Sequence, residues 1–257
     1  MYPKNKGVKA DIKARNMKIN IRQYNNIVIL TGAGISAGSG IRTYRGDGGV
    51  WKEFDVQEYG HVDRLRDKPE RIWQLFGPLR TQLATAKPNR AHEILAKVES
   101  SLSPDQNFVL ITQNVDGLHQ RAGSKNVIEL HGTIYQSRCA NQDCSLPPFL
   151  DTDSHSSDVP TCPVCSTVLK PDVVLFGEYI PAEKSWLAKR ALRDCDLFIS
   201  IGTSGTVSPA ANFVRSAEYA GARTIYVNLE KMVPANPAYK EELLGKAEII
   251  LAELFTE

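Results

Sequence analysis

No stretch of this chain comes near the roughly 18–20 consecutive apolar residues that span a bilayer. The longest strand-like runs, such as Ile27-Val28-Ile29-Leu30, are short. No apolar block resembling a secretion signal stands near the N-terminus, so export is not expected and a cytoplasmic location is, with nuclear or organellar sites left open. Neither sign of charge is in surplus: 31 Lys and Arg face 29 Asp and Glu. Cysteine is sparse, with five in 257 residues, which excludes a disulfide-stapled scaffold. What remains is ordinary: 42% apolar and 23% charged, which excludes collagen-like and wholly disordered chains. The length suits one large domain, or a large one with a small one.

Distribution says more than totals. Residues 1–26 hold Lys4, Lys6, Lys9, Lys13, Arg15, Lys18 and Arg22 against Asp11 alone. We read 1–26 as a basic leader and 27–257 as a mildly acidic folded body. A solvated tail, a contact for an acidic partner and an organelle-targeting segment are the readings of the leader. Four of the cysteines, Cys139, Cys144, Cys162 and Cys165, crowd one stretch, and Cys195 stands apart. In an unexported chain that pattern favours a metal over disulfides.

Short β-branched runs alternate with amphipathic segments. Strands are predicted at 27–30, 108–112, 127–130, 173–176, 197–201 and 224–227, with a last one at 248–251. Helices are predicted at 69–86, 89–98, 182–193, 209–220 and 239–244, the first broken or kinked at Gly77-Pro78. The stripe Ile72, Leu75, Phe76, Leu79 and Leu83 gives the first helix one buried face. Residues 138–168 lose this periodicity to Cys, Pro, Ser and Asp, as an inserted small module would. The alternation implies an α/β fold: a parallel sheet with crossover helices.

The run 27–30 enters Gly32-Ala33-Gly34, with Gly40 the third suitable glycine. Small residues there let backbone N–H groups approach a pyrophosphate, and a following helix N-terminus adds favourable charge. Taken alone, the turn fits a ligand-free glycine turn equally well. Two further polar strand ends, Gly202-Thr203-Ser204-Gly205 and Asn228-Leu229-Glu230, would meet it at the carboxyl edge of a parallel sheet. That edge is where open α/β sheets bind ligands, so nucleotide binding is the favoured reading.

The cysteine pairs have four and two intervening residues, spacings that can surround a tetrahedral zinc ion. Four thiolates leave no open position, so the metal would be structural; chance clustering of buried thiols is the bland alternative. His155, inside this stretch, reads as a surface residue, and Cys195 as a buried apolar thiol. Thr112-Gln113-Asn114-Val115-Asp116 and His131-Gly132 follow two other strands. Asn and Asp there could merely form turns, and His131 could be a satisfied structural residue. Its place on the same ligand edge makes it the candidate proton acceptor. His61 and His92 have no obvious partners.

These residues, in this order, resemble the sirtuins, NAD-dependent protein lysine deacylases. The matching motifs are Gly32 to Ile41, Thr43-Tyr44-Arg45, Gln113-Asn114-Val115-Asp116, His131-Gly132, the four cysteines, Pro171 to Glu178, Gly202-Thr203-Ser204 and Asn228-Leu229-Glu230, over roughly residues 27–251. The resemblance implies a Rossmann-like parallel sheet with helices on both faces plus a small zinc-binding domain at about 136–170. It implies NAD as co-substrate, one structural zinc on Cys139, Cys144, Cys162 and Cys165, and acylated-lysine proteins as partners. Gly32, Ala33, Gly34, Ser36, Arg45, Gln113, Val115, Gly202, Thr203, Ser204, Asn228, Leu229, Glu230 and Ala247 would serve the dinucleotide. Ile41, Asn114 and Asp116 would line the nicotinamide pocket. His131 would be the general base, with Asn114 beside it in catalysis. Val174, Phe176 and Gly177 would pair with an extended peptide. In the implied reaction nicotinamide leaves the ribose, the acyl oxygen takes its place, a ribose hydroxyl attacks the resulting imidate carbon, and water finally releases free lysine and an O-acyl-ADP-ribose.

Three departures from the family pattern stand out. Ala37-Gly38 replaces Ala-Glu, and Tyr44 replaces Phe. Phe76 and Leu79 stand where some members carry Tyr and Arg that grip acidic acyl groups. An apolar pair cannot compensate a buried carboxylate, so a neutral acyl group, acetyl or longer, is expected. ADP-ribosyl transfer and NAD hydrolysis are the alternatives on the same scaffold. Direct nucleic-acid binding by the cysteine module is not expected, because Asp143, Asp151, Asp153 and Asp158 make it acidic.

Overall fold

The computed structural model describes residues 18–45, 48–155 and 158–255. In chain order the strands are β1 (Asn26–Thr31), β2 (Asn107–Thr112), β3 (Val127–Glu129), β4 (Gly132–Cys139), β5 (Phe149–Leu150), β6 (Leu169–Val173), β7 (Leu197–Ile201), β8 (Arg223–Asn228) and β9 (Glu241–Leu244). The helices are α1 (Val50–Glu53), α2 (Val56–Tyr59), α3 (Arg64–Asp67), α4 (Pro69–Thr85), α5 (Arg90–Ser100), α6 (Leu118–Arg121), α7 (Ala182–Arg193), α8 (Phe213–Tyr219) and α9 (Ala247–Phe255). Among the described residues no helix is long and apolar enough to cross a membrane.

Six strands form one parallel sheet in the order β3-β2-β1-β7-β8-β9. Alternation along β1 explains why both faces are covered. Ile27 and Ile29 join Leu110, Ile199 and Ile225 under α5 and α9, through Leu95, Ile250, Leu251 and Leu254. Val28 and Leu30 face the other way, with Phe198, toward Ala188 and Leu192 of α7 and Val214 of α8. The chain turns outward in opposite senses from β1 and β7, so their carboxyl ends frame a crevice at the switch point.

In a second, antiparallel sheet, β5-β4-β6, strand β4 ends at Cys139, and Cys144, Cys162 and Cys165 lie in the connections around it. Between the two sheets lies an apolar cluster built on α4, with Ile72, Leu75, Phe76 and Leu83 against Ile134, Val173 and Leu175. The α4 helix runs unbroken through Pro78, so the expected break at Gly77-Pro78 does not occur. Buried residues on both sides, Leu75 and Phe76 before and Arg80 and Leu83 after, keep it helical despite the lost backbone bond. Gly77 has a separate purpose: a Cβ there would sit 2.1 Å from the Ser154 carbonyl oxygen.

Two predictions at the C-terminal end are reversed. Residues 239–244, expected as helix, contain the edge strand β9, whose ladder with β8 overrides the helix propensity of Glu and Leu. Residues 248–251, expected as strand, lie in α9, where Ile250, Leu251 and Leu254 form one buried stripe. The strand expected at 173–176 occupies 169–173 instead. Of the basic leader, residues 1–17 lie outside the described residues. Residues 18–26 are not a solvated tail, because Ile19 is buried and its N–H donates to Leu254 O at 2.9 Å.

Candidate active site

The carboxyl ends of β1, β2, β7 and β8 open into a cleft of about 1000 Å³, closed on its other side by the segment after β6. Two glycine turns interlock at its base. Gly34 N–H donates to Gly202 O at 2.8 Å. A Cβ on Gly34 would lie 2.7 Å from Gly202 Cα, and one on Gly202, whose φ is +64°, would lie 2.4 Å from Ile35 N. Only glycine fits either place. The segment Ala33–Ser39 is a 3₁₀ helix rather than an α-helix, ending at Gly40 with φ +80°.

Side-chain bonds tie these turns to the β2 end. Gln113 Nε2 donates to Thr203 Oγ1 at 3.0 Å. Asn114 Nδ2 donates to Gly32 O and to Ser36 Oγ, each at 3.2 Å. Ser36 Oγ in turn donates to Asp116 Oδ2 at 2.7 Å. Burial pushes the Asp116 carboxyl above its usual range, opposed by the bonds from Leu118 N and Ser36. At the β8 end, Tyr226 OH donates to Thr203 O at 2.9 Å.

His131 stands between β3 and β4 and lines the cleft. Its Nδ1 lies 3.0 Å from Gln113 O. A carbonyl can only accept, so Nδ1 carries the proton and the neutral ring keeps its lone pair on Nε2. Burial pushes the imidazole below its ordinary value; the bond to Gln113 raises it and Lys184 lowers it further. Gly132, with φ +85°, follows because a Cβ would sit 2.0 Å from Asp172 O.

Of the residues singled out from the sequence, Gly32, Ala33, Gly34, Arg45, Gln113, Asn114, Val115, His131, Val174, Phe176, Gly177, Gly202, Thr203, Ser204, Asn228, Leu229, Glu230 and Ala247 line this one cleft. Ser36, Ile41 and Asp116 are buried behind its wall. Other lining residues carried no motif: Trp51, which stacks on Tyr44 at 5.5 Å, Tyr179, and Lys246 and Glu248 around the start of α9. Nothing in the sequence pattern set Trp51 apart; its only signal was a large ring beside Val50 after a glycine-rich stretch.

His92 and His61 do have partners. His92 Nδ1 accepts from Asn89 N at 3.3 Å in a capping box, Nε2 lies 3.4 Å from Ser36 Oγ, and its ring packs on His119 at 4.8 Å. His61 pairs with Asp63 and bridges to Phe176. His155 is not a bare surface residue: Nε2 lies 2.9 Å from Asp151 Oδ2 and the ring packs edge-on against Trp73. Cys195 is a buried thiol, pushed up to about 12 by burial.

The Sγ atoms of Cys139, Cys144, Cys162 and Cys165 all lie within 4.8 Å of one another. Cys139 and Cys165 are 3.4 Å apart, and Cys144 and Cys162 are 3.6 Å apart. Tetrahedral zinc with Zn–S near 2.3 Å sets neighbouring sulfurs about 3.8 Å apart, so the set fits that ion with small adjustments and leaves no open position.

Strand order, interlocked glycine turns and a histidine-bearing cleft define an α/β protein built for a dinucleotide and a second guest. Comparison narrows the class. A model of the Sir2 family matches residues 32–209. An NAD-dependent protein deacylase of Aquifex aeolicus is 45% identical over 206 residues, 80% of this chain and 84% of that protein. One of Leishmania major is 39% identical over 229 residues, 88% of this chain and 92% of that protein. A solved Sir2 homolog–NAD complex matches with a TM-score of 0.82 at 35% identity, covering 95% of this chain and 91% of that one. A Sir2 variant solved with a deacetylated p53 peptide and 3'-O-acetyl-ADP-ribose gives 0.79 at 31%, covering 91% and 93%. The chain belongs to the Sir2 family.

Proposed function

We propose that this protein removes acetyl or other neutral acyl groups from protein lysine side chains at the expense of NAD, releasing nicotinamide and O-acyl-ADP-ribose. One observation carries the reading. His131, fixed by Gln113 O through Nδ1, lines a cleft whose opposite walls are the glycine turns and the Val174–Gly177 segment.

NAD, when bound, supplies an anomeric carbon with nicotinamide as leaving group. The chain supplies the rest. Gly32, Gly34 and Gly202 spend their N–H groups on Ile201 O, Gly202 O and Val227 O, so the dinucleotide edge offers the N–H groups of Ala33, Thr203 and Ser204 and the polar side chains of Asn228 and Glu230. The Asn114 amide nitrogen serves Gly32 and Ser36, so Asn114 holds the turn while its oxygen is left to accept. His131 Nε2 accepts the proton of a ribose hydroxyl, making that oxygen the nucleophile toward the acyl carbon. Water exclusion falls to Trp51, Tyr44 and Phe176, packed ring against ring. The cysteine-bearing stretch, about 136–170, is a small zinc module within the folded body. It stands outside the chemistry and braces β4 and β6.

The test is incubation with NAD and an acetyl-lysine peptide, followed by mass spectrometry. Peptide-dependent nicotinamide release together with acetyl-ADP-ribose is expected. Nicotinamide released without peptide, or ADP-ribose added to protein, would replace this reading with NAD hydrolysis or ADP-ribosyl transfer.

A further inference from the structure

Between β6 and α7 the chain runs along one wall of the cleft without a sheet partner, so its backbone polar groups need others. Val174 N donates to His131 O at 2.8 Å. Phe176 N donates to Gly60 O, and its carbonyl accepts from Val62 N, both at 2.9 Å. Glu178 closes the rest of the turn. Its N–H donates to Leu175 O at 3.0 Å, and its Oε2 accepts from Leu175 N at 2.8 Å. Lys170 Nζ donates to that same Oε2 at 2.5 Å and to Val173 O at 2.9 Å. The Val174 carbonyl and the Gly177 N–H are left without a protein partner among the described residues, and both residues line the cleft.

The Lys170 side chain is 5% exposed and that of Glu178 18%. A pair so placed gives up hydration on both sides, and an apolar pair of similar volume often serves stability as well or better. Here one carboxylate oxygen gathers an ammonium and a backbone amide, and the ammonium reaches a carbonyl beyond. Four atoms thereby fix the path of six residues.

We propose that Lys170 and Glu178 form a positioning pair for the acyl-peptide guest. Their ion pair folds residues 173–178, the stretch the family resemblance already gives to the peptide, so that the Val174 carbonyl and the Gly177 N–H are turned to the cleft. The consequence for catalysis rests on the deacylase reading; the shaping of the segment does not. Both residues act through the backbone and neither takes part in the bond changes.

Kinetics and amide hydrogen exchange on the full chain test this. Lys170→Met should raise the peptide KM on the order of tenfold, as expected when a guest is misplaced by a fraction of an ångström, with the KM for NAD unmoved. Lys170→Arg, which can still donate to both oxygens, should recover most of the loss. Exchange at Leu175 should quicken in Lys170→Met while β1 and β7 stay protected. Should the lone carboxylate prevent folding, the double variant Lys170→Met with Glu178→Gln removes both charges and should keep the peptide defect. Unchanged exchange at Leu175, or a loss shared equally by peptide and NAD, overturns the proposal. A wild-type protein that turns over no acyl peptide overturns the deacylase reading instead, and exchange at Leu175 still decides whether the pair shapes the segment.

Discussion

His131 is held by a single hydrogen bond through Nδ1, and burial lowers its proton affinity. A base is active when unprotonated, so the sign is direct: kcat/KM should be flat at neutral pH and fall as pH drops below the ordinary histidine range, near 6.5. A profile that instead rises toward acid would remove His131 from the role. His131→Ala should lower deacylation by roughly 10²–10⁴-fold and leave NAD binding largely intact, as titration calorimetry can check. His92 and His119 report on a different quantity. Burial pushes them down to about 4 and about 3, the latter also through its neighbour His92. The unfolded chain therefore binds protons that the folded one refuses. The stabilisation is complete above about 6.5 and is lost as pH falls toward 4, by roughly 3 kcal/mol for His92 alone. Denaturant midpoints between pH 7 and pH 4 should fall steeply, and His92→Gln, which keeps an N3 side chain able to cap, should flatten the curve.

At the scale of elements, the proposed reading gives α4 the acyl end of the site. Phe76 lines the cleft and Leu79 lies one turn along in the same apolar cluster. With apolar side chains at both positions, this helix offers a succinyl carboxylate nothing to offset its desolvation. Paired substitution Phe76→Tyr and Leu79→Arg should raise kcat/KM on succinyl-lysine relative to acetyl-lysine by roughly tenfold or more, since a charge-assisted bond contributes about 1.5–3 kcal/mol. Wild-type protein that already handles both peptides equally would defeat the idea. The α4 stripe was legible because five apolar residues repeat at helical spacing. The 27–30, 108–112 and 197–201 runs were equally plain, and so was the convergence of their polar ends. Less could be read where tertiary contacts decide. Nothing in Glu241–Leu244 announces an edge strand; the β8 ladder makes it one. Pro78 signalled a break that flanking burial prevents. Val174–Phe176 read as strand from β-branching, yet its bonds go to His131, Gly60 and Val62, which no local pattern could supply.

Across the whole molecule, the cysteine cluster and the cleft are coupled through two strands. β4 begins immediately after His131 and ends at Cys139; β6 begins near the cluster at Leu169 and ends one residue before Val174. Arg80 clamps the same sheet from α4, donating to Ile134 O at 2.8 Å and to Gln136 O at 3.2 Å, with Asp151 3.3 Å away. The far end has only a small core, Cys139, Cys162 and Leu169, so the metal must supply what apolar burial does not. The large sheet has its own core on both faces and needs none of this. Metal loss should therefore act asymmetrically. One equivalent of zinc is expected in the purified protein, absent from Cys162→Ser. That variant should lose roughly an order of magnitude or more in peptide turnover as β4 and β6 loosen around His131 and Val174, while NAD still binds at the intact switch-point crevice. Equal loss of both functions would mean that the two sheets unfold as one unit. Unchanged turnover without zinc would mean that Arg80 and the α4 cluster suffice to hold His131 in place.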